Sequence, residues 1–307
     1  MKAAWQRLQD EESGIIAMLV AVVMTALIGL AALGTDVGRL YVERQRLSTV
    51  ADAAALAGAS SLPAAPDEAI AVAKTYLQRN NVDPAAATVT VDSDNRALSI
   101  TIDSTVSMTF ARVLGSGSIP VVGSATAVTQ NLSATEGAAP LGVSRANWQI
   151  GQVVNLKMGA ANGTVSPGNY GALALGKSGA SMYEQNLMYG YDNWIHAGDW
   201  LDTQPGNMAG PTVRAVQYRI NQDPYATYAE HSRRSPRLVA VPILEDFADN
   251  GRGQVHVVGF GMFFLEQAID NGSDKGEIVG RFVKFVGEGE SSDTAPDFGL
   301  RRTKLKR

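Results

Sequence analysis

The first strong pattern in the chain is an uncharged, apolar run close to the N-terminus. It extends over residues 14–35 and contains no Asp, Glu, Lys or Arg. A bilayer core about 30 Å thick is crossed by about 20 helical residues. Helices that are apolar all round belong in membranes or in very large cores. The run therefore predicts a single membrane-spanning helix after a short N-terminal tail at residues 1–13.

A helical period continues beyond this apolar run. Apolar residues recur at three- and four-residue spacing from Val37 to Ala54, and the charged residues fall largely elsewhere. Pro63 and Pro66 end the pattern. We therefore predict one continuous transmembrane and amphipathic helix over residues 14–61. Its alanine-rich end, residues 51–59, favours close packing within the chain, with packing between subunits as the alternative.

A small α+β module is predicted at residues 62–130. Proline and acidic residues open a helical pattern at residues 66–80. Alternating residues predict antiparallel strands at 87–91, 97–102 and 119–129, and 106–115 is typical of a strand end followed by a short helix. The arrangement of a long helix, a second helix and about three strands is similar to a pilin-like head.

The rest of the chain predicts a second, β-rich module. Small polar residues and Pro140 indicate a linker at residues 131–140. A barrel or sandwich with two short helices is expected over residues 141–290, followed by a basic tail at 291–307. The predicted strands are 152–158, 170–175, 237–244, 254–265 and 277–285, the helices 180–188 and 211–220, and the turns 249–253 and 270–274. The predicted fold class is α+β.

Composition narrows the function. A formal net charge of −4 argues against a general nucleic-acid-binding protein, which is normally basic. The chain has no cysteine, which removes disulfides, thiol nucleophiles and cysteine-ligated metals. The three histidines, His196, His231 and His256, are too widely spaced to form a local zinc motif. The sequence therefore assigns no catalytic, cofactor-binding or metal-binding residue.

The flanking charges leave the orientation of the predicted span open. Lys2 and Arg7 precede it, whereas Arg39, Arg44 and Arg46 follow it, which slightly opposes a cytoplasmic N-terminus. The strand-rich body instead resembles a secreted domain, and we expect the N-terminus inside and the body outside the cell membrane. A signal-peptide core is usually only about 7–15 residues long. A retained anchor is therefore expected, with cleavage near residues 31–34 as the alternative.

Residues 13–21, 34–41 and 45–57 carry a more specific pattern. An Asp-Val-Gly-Arg block precedes an Ala-Asp-Ala-Ala-Ala-Leu-Ala block, and together they resemble the N-terminal domain of TadG-like Flp pilus-assembly proteins. The resemblance implies a bacterial envelope protein with one N-terminal transmembrane helix and with other pilus-assembly proteins as partners. The residues that carry it are Gly14, Asp36, Val37, Gly38, Arg39, Tyr41, Ala51, Asp52, Ala53, Ala54, Ala55, Leu56 and Ala57.

Two departures limit what the resemblance implies. Type IV pilins carry a glutamate five residues after the processing glycine, and counting from Gly14 that position is Leu19. Longer TadG-like proteins carry an Asp-x-Ser-x-Ser metal motif, but the nearest candidate, which begins at Asp103, has Thr105 in place of a serine. Pilin-style polymerisation and a metal-dependent adhesion domain are therefore not expected.

One cluster in the second module suggests a different activity. Asp192, Asp199 and Asp202 lie close to Trp194 and Trp200 in the sequence. Carboxylates beside aromatic rings can form a glycan-binding cleft or a glycosidase site, although packing within loops is the plainer interpretation. The pair Asp92 and Asp94 is likewise typical of a hairpin turn, with a calcium site as the alternative.

The sequence thus predicts a non-enzymatic, membrane-anchored component of Flp pilus assembly or of the related secretion apparatus. Its expected partners are the lipid bilayer and other pilus-assembly proteins. The alternatives are an anchored glycan-binding protein or hydrolase that acts through residues 141–290, and a subunit that polymerises through the long helix. The basic residues at 301–307 are expected to be a solvated end, with contact to anionic lipid as the alternative.

Overall fold

The computed structural model describes residues 2–114, 117–157, 171–246, 253–270, 272 and 275–306. Side chains are described from residue 15 onward within these ranges, except at 113 and 114. The predicted turns at 249–253 and 270–274 fall largely outside the described residues. The predicted strand at 170–175 is wrong in its described part, because residues 171–175 form only isolated bridges, from Ala172 to Leu141 and from Leu173 to Thr203. The chain divides into two compact units, Met1–Val128 with Lys304–Arg307, and Thr129–Thr303.

A single helix dominates the first unit. Helix α1 runs from Lys2 to Ala59, so the predicted tail at residues 1–13 is helical from Lys2. Its part from Ile15 onward is long and apolar enough to cross a membrane. Large apolar side chains on this part, such as Leu19, Leu27 and Leu33, are more than half exposed. Water would penalise such a surface, whereas lipid accommodates it.

The C-terminal part of α1 builds the core of the first unit. It packs with helix α2 (Pro66–Arg79) and with three strands, β1 (Ala87–Val91), β2 (Ala97–Ser107) and β3 (Ser118–Thr135). Within this unit, β1 pairs with β2 and β2 pairs with β3, both antiparallel. The predicted elements of the α+β module are therefore confirmed. A short 3-10 helix, Ala111–Leu114, lies between β2 and β3.

Two glycines permit the closest approaches in this core. A Cβ on Gly58 would lie 2.7 Å from the Ala69 carbonyl oxygen of α2. A Cβ on Gly123 of β3 would lie 2.5 Å from the Cβ of Leu47. Contacts this short do not occur between real side chains, so both crossings depend on the absence of a side chain.

The second unit is built mainly of strands. A curled, half-barrel sheet and mixed α/β content confirm the predicted α+β class. Two helices, α3 (Ala180–Tyr189) and α4 (Ala209–Gln222), confirm the two predicted ones. The strands are β4 (Val143–Ser144), β5 (Val153–Lys157), β6 (Ile195–His196), β7 (Trp200–Asp202), β8 (Leu238–Leu244), β9 (Gln254–Ala268), β10 (Ile278–Val283), β11 (Phe285–Val286), β12 (Glu290–Ser292) and β13 (Leu300–Leu305).

The central sheet of this unit has the order β4-β8-β9-β10-β5, and β7 pairs separately with β9. The pairs β8–β9, β9–β10 and β10–β5 are antiparallel, whereas β4 runs parallel to β8. Aromatic side chains from adjacent strands fill the interior. The rings of Phe263 and Phe282 meet edge to face at 5.0 Å, a favourable arrangement for two buried aromatic rings.

The predicted linker at residues 131–140 is wrong. Strand β3 continues to Thr135, where its last residues pair with β12 and β6. Asn131 is buried and donates its side-chain N–H to the Ala295 carbonyl at 2.7 Å. Small polar residues suggest a loop only when they are solvated, and here they find partners inside the unit.

The basic tail predicted at residues 291–307 forms strands, although Arg302, Lys304 and Lys306 of its predicted solvated end are exposed. Strands β12 and β13 occupy much of it. The Arg301 guanidinium is buried and donates to an Asp297 carboxylate oxygen at 2.6 Å. Charge alone predicted solvation, but a nearby carboxylate and a strand pairing with β11 bring this part of the segment into the fold.

Candidate functional site around Asp36

The carboxylate of Asp36 connects α1 to the turn after β2. Its side chain accepts hydrogen bonds from the backbone N–H groups of Thr109, Phe110 and Ala111, at 2.9, 3.0 and 2.8 Å. The residue is only 3% exposed. The first N–H groups of a helix have no partner within the helix. Asp36 supplies that partner to the 3-10 helix at Ala111 from a distant part of the chain.

These hydrogen bonds also determine the charge state. Those from Ala111 and Thr109 are the main cause of a lowered pKa for the Asp36 carboxyl group. Arg39 adds a weaker electrostatic contribution in the same direction. The Arg39 guanidinium itself donates to the Thr109 hydroxyl at 2.6 Å. Two charged side chains of one helical turn therefore hold the same loop.

The neighbouring face of α1 is open. Val37 is 54% exposed and Tyr41 is 70% exposed. A Cβ on Gly38 would meet no atom within 4 Å. A groove of about 480 Å³ runs beside them, and its lining is Val37, Leu40, Tyr41, Arg44, Ile119, Pro120, Val121 and Val122. The amphipathic face predicted from Val37 onward is therefore exposed at Val37 and Tyr41 and becomes buried only further along the helix.

The alanine block contributes to the core of the first unit. Ala51, Ala54 and Ala55 are fully buried, which supports the interpretation of packing within the chain. Asp52, Leu56 and Ala57 are partly buried and Ala53 is exposed. Gly14 lies within α1. Apart from Gly14 and the exposed Ala53, the residues of the pattern thus fall into three groups, a loop-holding pair, an open face and a core block.

The carboxylates of the second unit show separate local bonding. Asp199 accepts the backbone N–H of His196 at 2.7 Å. Asp202 accepts from the Gln254 side-chain amide at 3.2 Å and lines a cavity of about 520 Å³. Asp192 accepts from the side chain of its neighbour Asn193. These contacts fit the packing of turns and strands.

The tryptophans of this cluster each meet a histidine. The Trp200 ring lies 5.1 Å from that of His256, and the Trp194 ring lies 6.4 Å from that of His196. His256 also contacts the Glu245 carboxylate at 3.2 Å. Among the described residues, no group of three or more His, Asp or Glu side chains is arranged to hold a metal ion.

The local sequence does not predict the burial of one lysine in the second unit. Lys157 ends β5 and is fully buried. Lysine at a strand end is ordinarily solvated, and its partners, Asn207 and Gly276, lie 50 and 119 residues further along the chain. Only the fold brings them together.

Comparison with known proteins gives one match. Residues 14–61 match the family Tad, described as putative Flp pilus-assembly TadE/G-like. Neither the curated proteins nor the solved structures contain a significant match to the chain. The matched residues coincide with the predicted N-terminal domain and contain Asp36, Arg39 and the alanine block. Over residues 14–61 the chain is therefore similar to the Tad domain of TadE/G-like Flp pilus-assembly proteins.

Proposed function

We propose that the protein is a non-enzymatic, membrane-anchored component of the Flp pilus-assembly apparatus. The observation that carries this proposal is the coincidence of the Tad match, residues 14–61, with a helix long and apolar enough to cross a bilayer. The same helix continues into the core of a folded unit. Helix α1 thus combines attachment to the membrane with support of that unit.

The proposed orientation rests on the strand-rich part of the chain after the apolar run, which resembles a secreted domain. The N-terminus lies in the cytoplasm and the residues after about 35 lie outside the membrane, where pilus subunits assemble. The anchor is proposed to be retained, because the apolar run at residues 14–35 is longer than a signal-peptide core of about 7–15 residues.

The partner surface is the open face of α1. Val37, Gly38 and Tyr41 belong to the matched segment yet contribute no buried side chain to the fold. An exposed tyrosine and valine beside an apolar groove suit the side of a helix from another pilus-assembly protein. A glycine at this position lets the two backbones approach closely.

Deletion and complementation test the role. Under conditions in which the bacterium makes Flp pili, deletion is expected to reduce surface pili and adherence, counted by electron microscopy and a surface-attachment assay. The wild-type gene restores both, whereas a Tyr41→Ala protein of normal abundance restores less. Unchanged piliation after deletion would remove the proposal.

The alternative, a glycan-directed activity in the second unit, gives the opposite result in the same assay. Asp202→Asn alters the carboxylate that lines the cavity and leaves the open face of α1 unchanged. We expect this variant to restore piliation as the wild type does. Loss of piliation at normal protein abundance would favour the alternative.

Protease accessibility tests the orientation. In cells with a permeabilised outer barrier and an intact inner membrane, added protease is expected to digest the body and leave a small membrane-embedded fragment. Protection of the body until the inner membrane is broken contradicts the proposed orientation.

A further inference from the structure

A buried amine in the second unit contacts a side-chain amide. The Lys157 Nζ donates to the Asn207 Oδ1 at 3.0 Å and to the Gly276 carbonyl oxygen at 3.1 Å. Lys157 is 0% exposed. A lysine is almost never fully buried without a specific partner, because removing the ammonium from water costs free energy.

A carboxylate is buried in the same region. Glu277 is 3% exposed and directly follows Gly276. In the pairing of β5 with β10, Lys157 lies opposite Ile278, the next residue along. The Glu277 carboxylate accepts a hydrogen bond from the Asn155 side chain at 3.2 Å. The Lys157 amine thus contacts a carboxamide, and the charge of the Glu277 carboxylate acts on that amine.

The Asn207 side chain is held with its oxygen towards the amine. Its Nδ2 donates to the Lys275 carbonyl at 3.5 Å, which leaves Oδ1 to accept from Lys157. A C=O bond is about 1.23 Å long, so the carboxamide carbon lies within about 4.2 Å of Nζ. Attack requires a separation of about 3–3.5 Å, so the carboxamide carbon has to move about 1 Å towards Nζ from this hydrogen-bonded arrangement.

Gly276 makes room for this contact. Its φ of +90° suits glycine, and a Cβ there would lie 3.2 Å from the Lys157 Nζ and 2.6 Å from the Ala209 Cα. The backbone of this turn therefore passes directly over the amine. No side chain separates Lys157 from its two acceptors.

The amine is also prepared to act as a nucleophile. Burial lowers the pKa of Lys157 to about 8, and the charge of Glu277 opposes that shift. The Lys157 amine is then neutral in roughly a tenth of the molecules at pH 7. A desolvated lysine of lowered pKa is one of the ordinary activated nucleophiles of proteins.

We propose that Lys157 and Asn207 form an intramolecular isopeptide bond within the folded second unit, with Glu277 as the group that moves the proton. The neutral Nζ attacks the Asn207 carboxamide carbon, and the new C–N bond gives a tetrahedral intermediate. Glu277 takes a proton from Nζ and delivers it to the amide nitrogen, which leaves as ammonia. One C–N bond forms, one breaks, and no oxidant is required.

The bond would supply a covalent crosslink that this chain cannot obtain otherwise. The sequence has no cysteine and so no disulfide. A crosslink between the end of β5 and the segment before α4 closes a long loop and restricts the unfolded chain. This inference does not depend on the role in pilus assembly.

Mass spectrometry of the purified full-length protein tests the proposal. We expect the mass of the full-length protein to be lower than the mass calculated from its sequence by one ammonia. A proteolytic digest is expected to contain a branched peptide that joins Lys157 to Asn207. Fully linear peptides containing both residues, recovered from folded protein, would overturn it.

Variants identify each role. Asn207→Asp is expected to lose water in place of ammonia, which marks residue 207 as the acyl donor. Lys157→Arg and Glu277→Gln are expected to keep all linear peptides. The matched control, Lys177→Arg, changes an exposed lysine of the same unit and keeps the branched peptide.

Circular dichroism checks that each variant is folded. A folded Lys157→Arg protein that still contains the crosslink contradicts the assignment of the nucleophile, and a folded Glu277→Gln protein that still crosslinks fully contradicts the role of Glu277. If both variants fail to fold, the wild-type peptides and the Asn207→Asp mass change decide the result.

Discussion

Asp36 gathers three backbone N–H groups around one carboxylate at the point where α1 leaves its apolar run. A carboxylate offers two oxygens that only accept, and bonds from N–H groups to an ionised acceptor are stronger than neutral ones. An asparagine has the same shape but presents an NH₂ group to donors. The charge is therefore as important as the shape.

We predict that Asp36→Asn weakens the attachment of the loop at residues 109–111 and that Asp36→Ala weakens it further. Amide hydrogen exchange of the full chain in detergent measures this directly, because the freed N–H groups exchange faster. Asp103→Asn, which changes an exposed carboxylate of β2, is the control and leaves exchange at this loop unchanged. Equal exchange in all three variants contradicts the role given to Asp36.

The attachment also depends on pH in a defined direction. The folded-state pKa of Asp36 lies below its value in the unfolded chain, about 3.9. Its contribution to stability is therefore fully present above about pH 4 and is lost as the pH falls through the folded-state pKa. The protection factors of the amides at residues 109–111, which correct for the intrinsic slowing of exchange in acid, should therefore fall on acidification in the wild type and fall less in Asp36→Asn.

The sequence pointed to Asp36 only as part of a familiar pattern. Its bonding partners lie 73 to 75 residues further along the chain, and no local spacing indicates them. The same holds for Lys157, whose contacts depend on the register between β5 and β10. Residue types and periodicity predict local structure, whereas these contacts arise from tertiary packing.

Helix α1 and strand β3 meet where Gly123 faces the backbone of Leu47 and Ser48. An added methyl group there would overlap main-chain atoms, which cannot rotate away as a side chain does. At Gly38 the same group would enter open space. The two glycines therefore provide a matched comparison between a packing role and an exposed position.

We predict that Gly123→Ala destabilises the first unit by about 1–3 kcal/mol, the usual effect of overfilling a core. Gly38→Ala should be neutral or stabilise by up to about 1 kcal/mol, because alanine favours the helix. Urea unfolding of the full chain in detergent, followed by hydrogen exchange in α2, measures both. A Gly38→Ala protein that is stable but fails to support piliation would further support the partner face.

The helices and most strands were predictable because their periodicities are strong. The elements at both ends of the predicted β-rich module were not. Asn131 and Thr135 appeared loop-like, and Arg301 appeared solvated, yet all three are buried. Each has a polar partner or a strand pairing that only the fold supplies, so composition overestimated the length of the loops.

No break separates the apolar run of α1 from Asp36. The direction in which the first unit faces is therefore tied to the direction in which each side of the apolar run points. Each residue inserted into a helix rotates the downstream residues by about 100° and advances them by about 1.5 Å. Seven inserted residues bring the downstream part back to within about 20° of its starting direction.

We predict that insertion of one or two alanines between Leu33 and Gly34 impairs piliation more than insertion of seven. Pilus counts and protein abundance in complemented deletion cells measure the effect. A steady decline with insertion length would show that only the length of the span matters.

A continuous helix also transmits torsion along its axis. Under the proposed function, a twist applied to the first unit by a growing fibre is expected to pass along α1 to its apolar run, because no break in the helix separates the two. The hydrogen bonds of Asp36 and Arg39 to the loop at Thr109 resist rotation of α1 against the rest of the first unit. We infer that the apolar run turns together with the first unit and not independently of it.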